Sequence, residues 1–148
     1  MKDKILIISL FLFQCCCAET LSVETGGAPR PGGSYYSQAL YVNHPREILF
    51  IAGQLPIDPA TNTVIMDPVL ATRQCMLNIQ ALLSNAGMDF SNVKKVIIAT
   101  TISDTIIIRD ICAEYASFLT APYPTLSVIG VAFLPLGSVV GIEGMAVS

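Results

Sequence analysis

The last quarter of the chain restricts the fold more than any other stretch. From Tyr123 to Ala146 it reads Tyr-Pro-Thr-Leu-Ser-Val-Ile-Gly-Val-Ala-Phe-Leu-Pro-Leu-Gly-Ser-Val-Val-Gly-Ile-Glu-Gly-Met-Ala. Apolar and β-branched residues run from Leu126 to Phe133 and again from Ser138 to Ala146, interrupted by Leu134-Pro-Leu-Gly137. Proline lacks the N–H that a ladder needs and glycine adopts turn conformations, so two strands joined at that break are predicted. Neither strand alternates apolar with polar. Both are therefore expected to be covered on two faces, as central strands of a sheet packed by helices or by other subunits.

Upstream, the same reasoning yields the remaining elements. Glu19 to Gly33 is polar and rich in Gly and Pro and reads as an extended arm followed by a loop. Ser34 to Val42 is predicted as a strand, Asn43-His-Pro-Arg46 as a turn, and Ile48 to Ala52 as a second strand paired with the first. A short strand follows at Val64 to Met66. From Pro68 to Ala86, Leu70, Cys75, Met76, Ile79, Leu82, Leu83 and Ala86 recur at three and four residues, the period of an amphipathic helix, with Asp67 as N-cap and Gly87 as its end. Val93 to Ile102 is a β-branched strand after the turn Asp89 to Asn92. Asp104 caps a second helix, Thr105 to Leu119, whose opening triple Ile106-Ile107-Ile108 disfavours a helical first turn. Strands followed by alternating helices predict an α+β fold, helices on one face of a mixed sheet.

The 148 residues suffice for one core, and 53% apolar against 13% charged residues excludes a disordered chain. Residues 19–148 are taken as a single domain. The apolar surplus suggests a subunit interface. With net charge −3 and no basic run longer than Lys94-Lys95, nucleic acid is excluded as a partner on charge. His44 has no Asp, Glu or Cys at ligand spacing, so no metal site and no cofactor are expected.

Residues 1–18 have the order of a secretory signal peptide. Met1-Lys-Asp-Lys4 is polar, Ile5 to Phe13 is apolar but for Ser9, and Gln14-Cys-Cys-Cys-Ala18 is small, with cleavage expected after Ala18. The apolar run is too short to span a bilayer, which takes about 20 residues. An exported or secreted protein follows, periplasmic in a bacterium and free of the membrane once cleaved; the other readings are a cytoplasmic extension and a lipoprotein acylated at Cys15. Cys75 and Cys112 remain after cleavage. They are read as small residues on helix faces, or as a disulfide if their Cα atoms come within about 7 Å.

Three motifs together carry a resemblance. Tyr123-Pro, the Ser127-Val strand, Leu134-Pro-Leu-Gly137 and Val140-Gly-Ile-Glu-Gly-Met-Ala146 are similar to the C-terminal signature of the RidA/YjgF family of imine and enamine deaminases. Tyr35-Tyr-Ser-Gln-Ala39 resembles its Pro-Tyr-Ser-Gln-Ala, and Ala52-Gly-Gln-Leu-Pro-Ile-Asp-Pro59 its Ser-Gly-Gln-Ile-Pro-x-x-Pro. The resemblance covers Ala28 to Ala146. It implies a chorismate-mutase-like fold, a homotrimer whose sheets form a central barrel, and small-molecule clefts between subunits.

It also implies where the chemistry lies. The family's carboxylate-gripping Arg falls on Leu126 and its water-positioning Glu on Gly141. Tyr36 falls on the active-site Tyr, Ala52 replaces a Ser, and Asn78 matches an Asn expected to bond backbone. Arg109, or Asp110 if the register slips by one, falls on the family's Asn near the second helix. The implied cleft comprises Tyr36, Ala52, Gly53, Leu126, Ser127, Val128, Phe133 and Gly141. Three functions follow: a ligand-binding relative with reduced or lost deaminase activity, an active 2-iminobutanoate/2-iminopropanoate deaminase using Arg109 and Glu143, or a structural trimer. Glu143 is otherwise expected to hydrogen-bond backbone near the cleft. A ribonuclease reading finds neither a basic groove nor an aromatic platform.

Overall fold

The computed structural model describes residues 19–23 and 35–148. The proposed signal peptide lies outside them, as does the stretch 24–34. In chain order the strands and helices are β1 (Glu19–Val23), β2 (Ala39–Asn43), β3 (Ile48–Gln54), β4 (Ile57–Asp58), β5 (Thr63–Val64), α1 (Pro68–Asn85), β6 (Val93–Thr100), α2 (Thr105–Ala116), β7 (Thr125–Gly130) and β8 (Val140–Val147). Short 3-10 turns lie at Phe90–Asn92 and Pro135–Gly137. One sheet runs β3-β8-β6-β7; β6 and β7 are parallel and joined through α2, and the other pairs are antiparallel. The fold is α+β, a mixed sheet with two helices.

Both helices begin where a side chain replaces the missing intrahelical acceptor. Asp67 Oδ1 accepts from the backbone N–H of Val69 (3.1 Å) and Leu70 (2.9 Å), with Pro68 opening α1. Asp104 Oδ1 accepts from Ile106 N–H at 2.8 Å. Gly87, at φ 69°, ends the first helix in a conformation that favours glycine. The isoleucine triple stays helical because the cap and the core outweigh propensity: Ile107 packs against the core and Ile111 is fully buried, while Ile106 remains exposed.

Between helices and sheet lies the core. Val96 and Ile98 of β6, Val140, Ile142 and Ala146 of β8 and Ile51 of β3 meet Ala71, Cys75, Met76, Ile79 and Leu83 of α1 and Ile111 and Tyr115 of α2. Each large apolar side chain removed from water contributes roughly 1.5–3 kcal/mol. A bulge between Val93 and Lys95 adds a residue to β6, so that both Val93 and Val96 are buried. The two helices are tied by a forked ion pair, Arg73 Nε and Nη2 to the Glu114 carboxylate at 2.7 and 3.1 Å.

Several expectations are corrected. The strand expected at Ser34 to Val42 is Ala39–Asn43, and it pairs with β1, not with β3; β3 pairs instead with β8. The expected arm therefore contains a strand, Glu19–Val23. β8 is central, but β7 is an edge strand of the sheet and ends at Gly130, with Val128 and Ile129 exposed. On α1, Leu70 and Leu82 face solvent and Thr72 is buried, its hydroxyl donating to the Pro68 carbonyl at 2.8 Å. The second helix stops at Ala116, three residues early, yet Leu119 is still buried in the turn that follows.

Candidate functional site

Because both helices cover one face of the sheet, the other face is left open by the described elements. From β6 it carries Lys95, Ile97 and Ala99, and from β8 Gly141, Glu143 and Met145, as the register Ala99↔Gly141, Ile97↔Glu143 and Lys95↔Met145 requires. A cavity of about 360 Å³ lies here, lined by Gly53, Leu55, Ile97, Ala99, Ile129, Leu134, Pro135, Gly141 and Glu143. One wall is the loop after β3. Asn78 of α1 fixes that loop by donating from Nδ2 to the carbonyls of Leu55 and Ile57, both at 3.1 Å, while its Oδ1 accepts from Gln74 at 2.9 Å. This is the backbone role expected of Asn78, and it holds Leu55 against the cavity.

The floor is open for a simple reason. A Cβ on Gly141 would meet Leu55 Cδ2 at 3.5 Å, Leu134 Cδ2 at 3.7 Å and the Gln54 carbonyl at 3.8 Å, all ordinary contacts. Sterics do not demand glycine there. Among the described residues Glu143 is the single charged group lining the cavity. Its side chain is exposed and makes no hydrogen bond to any described residue, which corrects the expectation that it bonds backbone. Lys95 shares a smaller depression of about 190 Å³ with Glu143, Phe50, Ile97, Gly144 and Met145, without forming an ion pair to any described residue.

The other residues assigned to the cleft are distributed differently. Leu126 pairs with Val96 in the parallel ladder and packs against the core, so it lies on the helix side of the sheet while Gly141 lies on the open side. Within one chain the two positions are not brought together. Ser127, Val128 and Phe133 are exposed and Ala52 is exposed beside Gly53. Tyr36 is half-buried; its neighbour Ser37 docks the segment on the start of β7, the hydroxyl donating to the Tyr123 carbonyl at 2.7 Å and the N–H to that of Pro124 at 3.2 Å. Arg109 is 71% exposed on α2 and contacts Asp110 at 3.4 Å, on the opposite layer from Glu143. His44 occupies an exposed turn, and among the described residues no three His, Cys, Asp or Glu side chains are grouped to hold a metal.

The thiols are free. Burial pushes the Cys75 thiol up to about 12 and raises that of half-buried Cys112. Neither is an activated nucleophile. Two features went unread in the sequence: Leu55 and Leu134 as cavity walls, and Gly144, whose Cβ would fall 2.9 Å from the Lys95 carbonyl. The alternation of β6 could have indicated Ile97 and Ala99.

A family model described as Endoribonuclease L-PSP matches residues 25–148. The chain belongs to the RidA/YjgF family. Among RidA/YjgF relatives, the RutC family protein y4sK of Sinorhizobium fredii is 38% identical over 125 residues, covering 83% of this chain and 94% of that protein. The 2-iminobutanoate/2-iminopropanoate deaminase of Capra hircus is 34% identical over 127 residues, 84% of this chain and 88% of that enzyme. A solved structure, E. coli TdcF with bound serine, aligns with a TM-score of 0.65 at 30% identity, covering 86% of this chain and 98% of that one.

Proposed function

We propose that this protein is a RidA-family small-molecule binder whose imine deaminase activity is reduced or lost, acting as an exported homotrimer with ligand in clefts between subunits. The observation that carries the reading is the lining of the open-face cavity: among the described residues its side chains are hydrocarbon except Glu143, none is cationic, and glycine stands at position 141. Hydrolysing an imine acid takes a fixed cation for the carboxylate, best a forked guanidinium, and a group that orients water. Leu126 and Gly141 supply neither. Losing oriented charge of this kind typically costs orders of magnitude in rate.

Assembly belongs to the same proposal. Leu126 and Gly141 sit on opposite faces of one sheet, which supports a cleft assembled from two copies. The open face carries exposed Phe50 and Ile129, apolar surface of the kind a neighbouring subunit covers. The competing reading, a working deaminase, needs Arg109 from one chain and Glu143 from another. One assay decides: 2-iminobutanoate generated in situ by an amino-acid dehydratase should disappear little or no faster with the protein than with buffer, at a rate that Arg109→Ala leaves unchanged. Acceleration abolished by Arg109→Ala refutes the reading in favour of the deaminase. Intact mass of the secreted product tests cleavage after Ala18.

A further inference from the structure

We infer that the open-face cavity selects a small aliphatic ammonium ion without a carboxylate, bound through Glu143. This names the ligand class of the site above and rests on the small-molecule-binding reading. Two observations combine. The cavity walls, Leu55, Ile97, Ala99, Ile129 and Leu134, are hydrocarbon, and the position that could have added a second polar group, Gly141, adds nothing although a side chain there is sterically allowed. Against that lining stands one carboxylate with no hydrogen bond to a described residue. A carboxylate at an apolar cavity pairs favourably with an N⁺–H donor, and repels an acid.

Size limits the rest of the ligand. About 360 Å³ holds the volume of about a dozen waters at roughly 30 Å³ each, the lower end of the range for small-molecule pockets. A short branched hydrocarbon body fits, with the ammonium at Glu143 on the rim. Lys95 is the described cation nearest along the strand, and it lines the neighbouring depression, not this one. It therefore adds no acid anchor inside the cavity. An α-amino acid would bring its carboxylate to the same rim as Glu143.

The test uses the full-length protein with 13C-labelled isoleucine and leucine methyls. Isobutylamine, isobutyrate and valine are titrated separately and the methyls of Ile97, Ile129 and Leu134 followed. Isobutylamine is expected to shift them saturably, isobutyrate not to, and valine to bind more weakly. Glu143→Gln, at an exposed position, should weaken isobutylamine about tenfold or more, the scale of a lost hydrogen bond to a charged group. Glu143→Lys should reverse the preference toward isobutyrate. No saturable shift with isobutylamine, unchanged affinity in Glu143→Gln, or valine binding more tightly than isobutylamine overturns the inference; the last would make Lys95 an acid anchor. Failure here with no 2-iminobutanoate hydrolysis removes only the ligand class. Hydrolysis that Arg109→Ala abolishes removes the function reading itself.

Discussion

Gly141 and Gly144 stand three residues apart in β8, and the structure predicts opposite responses to the same added methyl group. At Gly144 a Cβ would lie 2.9 Å from the Lys95 carbonyl oxygen, a backbone atom of the adjacent central strand. It cannot yield alone: Lys95 pairs with Met145 on β8 and with Thr125 on β7, so the ladder on both sides must shift. Overpacking of this kind costs typically about 1–3 kcal/mol. Removing a glycine from the unfolded chain offsets roughly 0.4–1 kcal/mol of that, leaving Gly144→Ala destabilised by about 1–2 kcal/mol. At Gly141 the nearest atoms, at 3.5 Å and beyond, belong mainly to flexible leucine ends, so only the favourable entropic part remains. Gly141→Ala should then be neutral or more stable by about 0.5 kcal/mol. Urea unfolding of both variants at one protein concentration measures the difference, expected to be about 2 kcal/mol between them. Equal stabilities would refute the reasoning. Gly141→Ala unfolding well below Gly144→Ala would reverse it and place a neighbour against the Gly141 face.

Asn78→Ala should lose about 1–2 kcal/mol, because the partly buried Ile57 carbonyl loses the Asn78 donor and the Leu55 carbonyl is left with the Ile57 N–H at 2.8 Å, whereas Gln74→Ala should lose under about 1 kcal/mol; similar values for both in denaturant unfolding would argue against the loop clamp. For Cys75 the folded thiol is raised to about 12 against an unfolded value near 8.5, so its contribution to stability is fully present below that unfolded value and is lost as pH rises toward 12. Unfolding free energy of Cys75→Ala should accordingly fall less steeply than that of the wild type above pH 9, and the native Cys75 thiol should stay silent to thiol reagents at pH 8 until the chain unfolds. A parallel alkaline slope in the two proteins would count against burial of the thiol.

Local chemistry made part of this molecule legible in advance. Asp67, Pro68, Asp104 and Gly87 mark helix ends because capping and positive φ depend on neighbours a few residues away. The family motifs are likewise contiguous, so membership could be read from Ala52 to Pro59 and from Tyr123 to Ala146. Strand partners could not. That β2 takes β1 while β3 takes β8, and that β7 is left at the sheet edge, depends on non-local pairing whose hydrogen bonds are alike for any sequence.

The site divides in the same way. Sequence determined which side chains exist: a leucine at 126, a glycine at 141 and a carboxylate two residues later at 143. Only the tertiary structure decided that Leu126 and Gly141 occupy opposite faces, that Glu143 is unpaired among the described residues, and that a side chain is crowded at Gly144 but not at Gly141. Residue type is a property of one position. A face, a partner or a 2.9 Å approach is a relation between strands, and it exists only once the register of β6 against β7 and β8 is set.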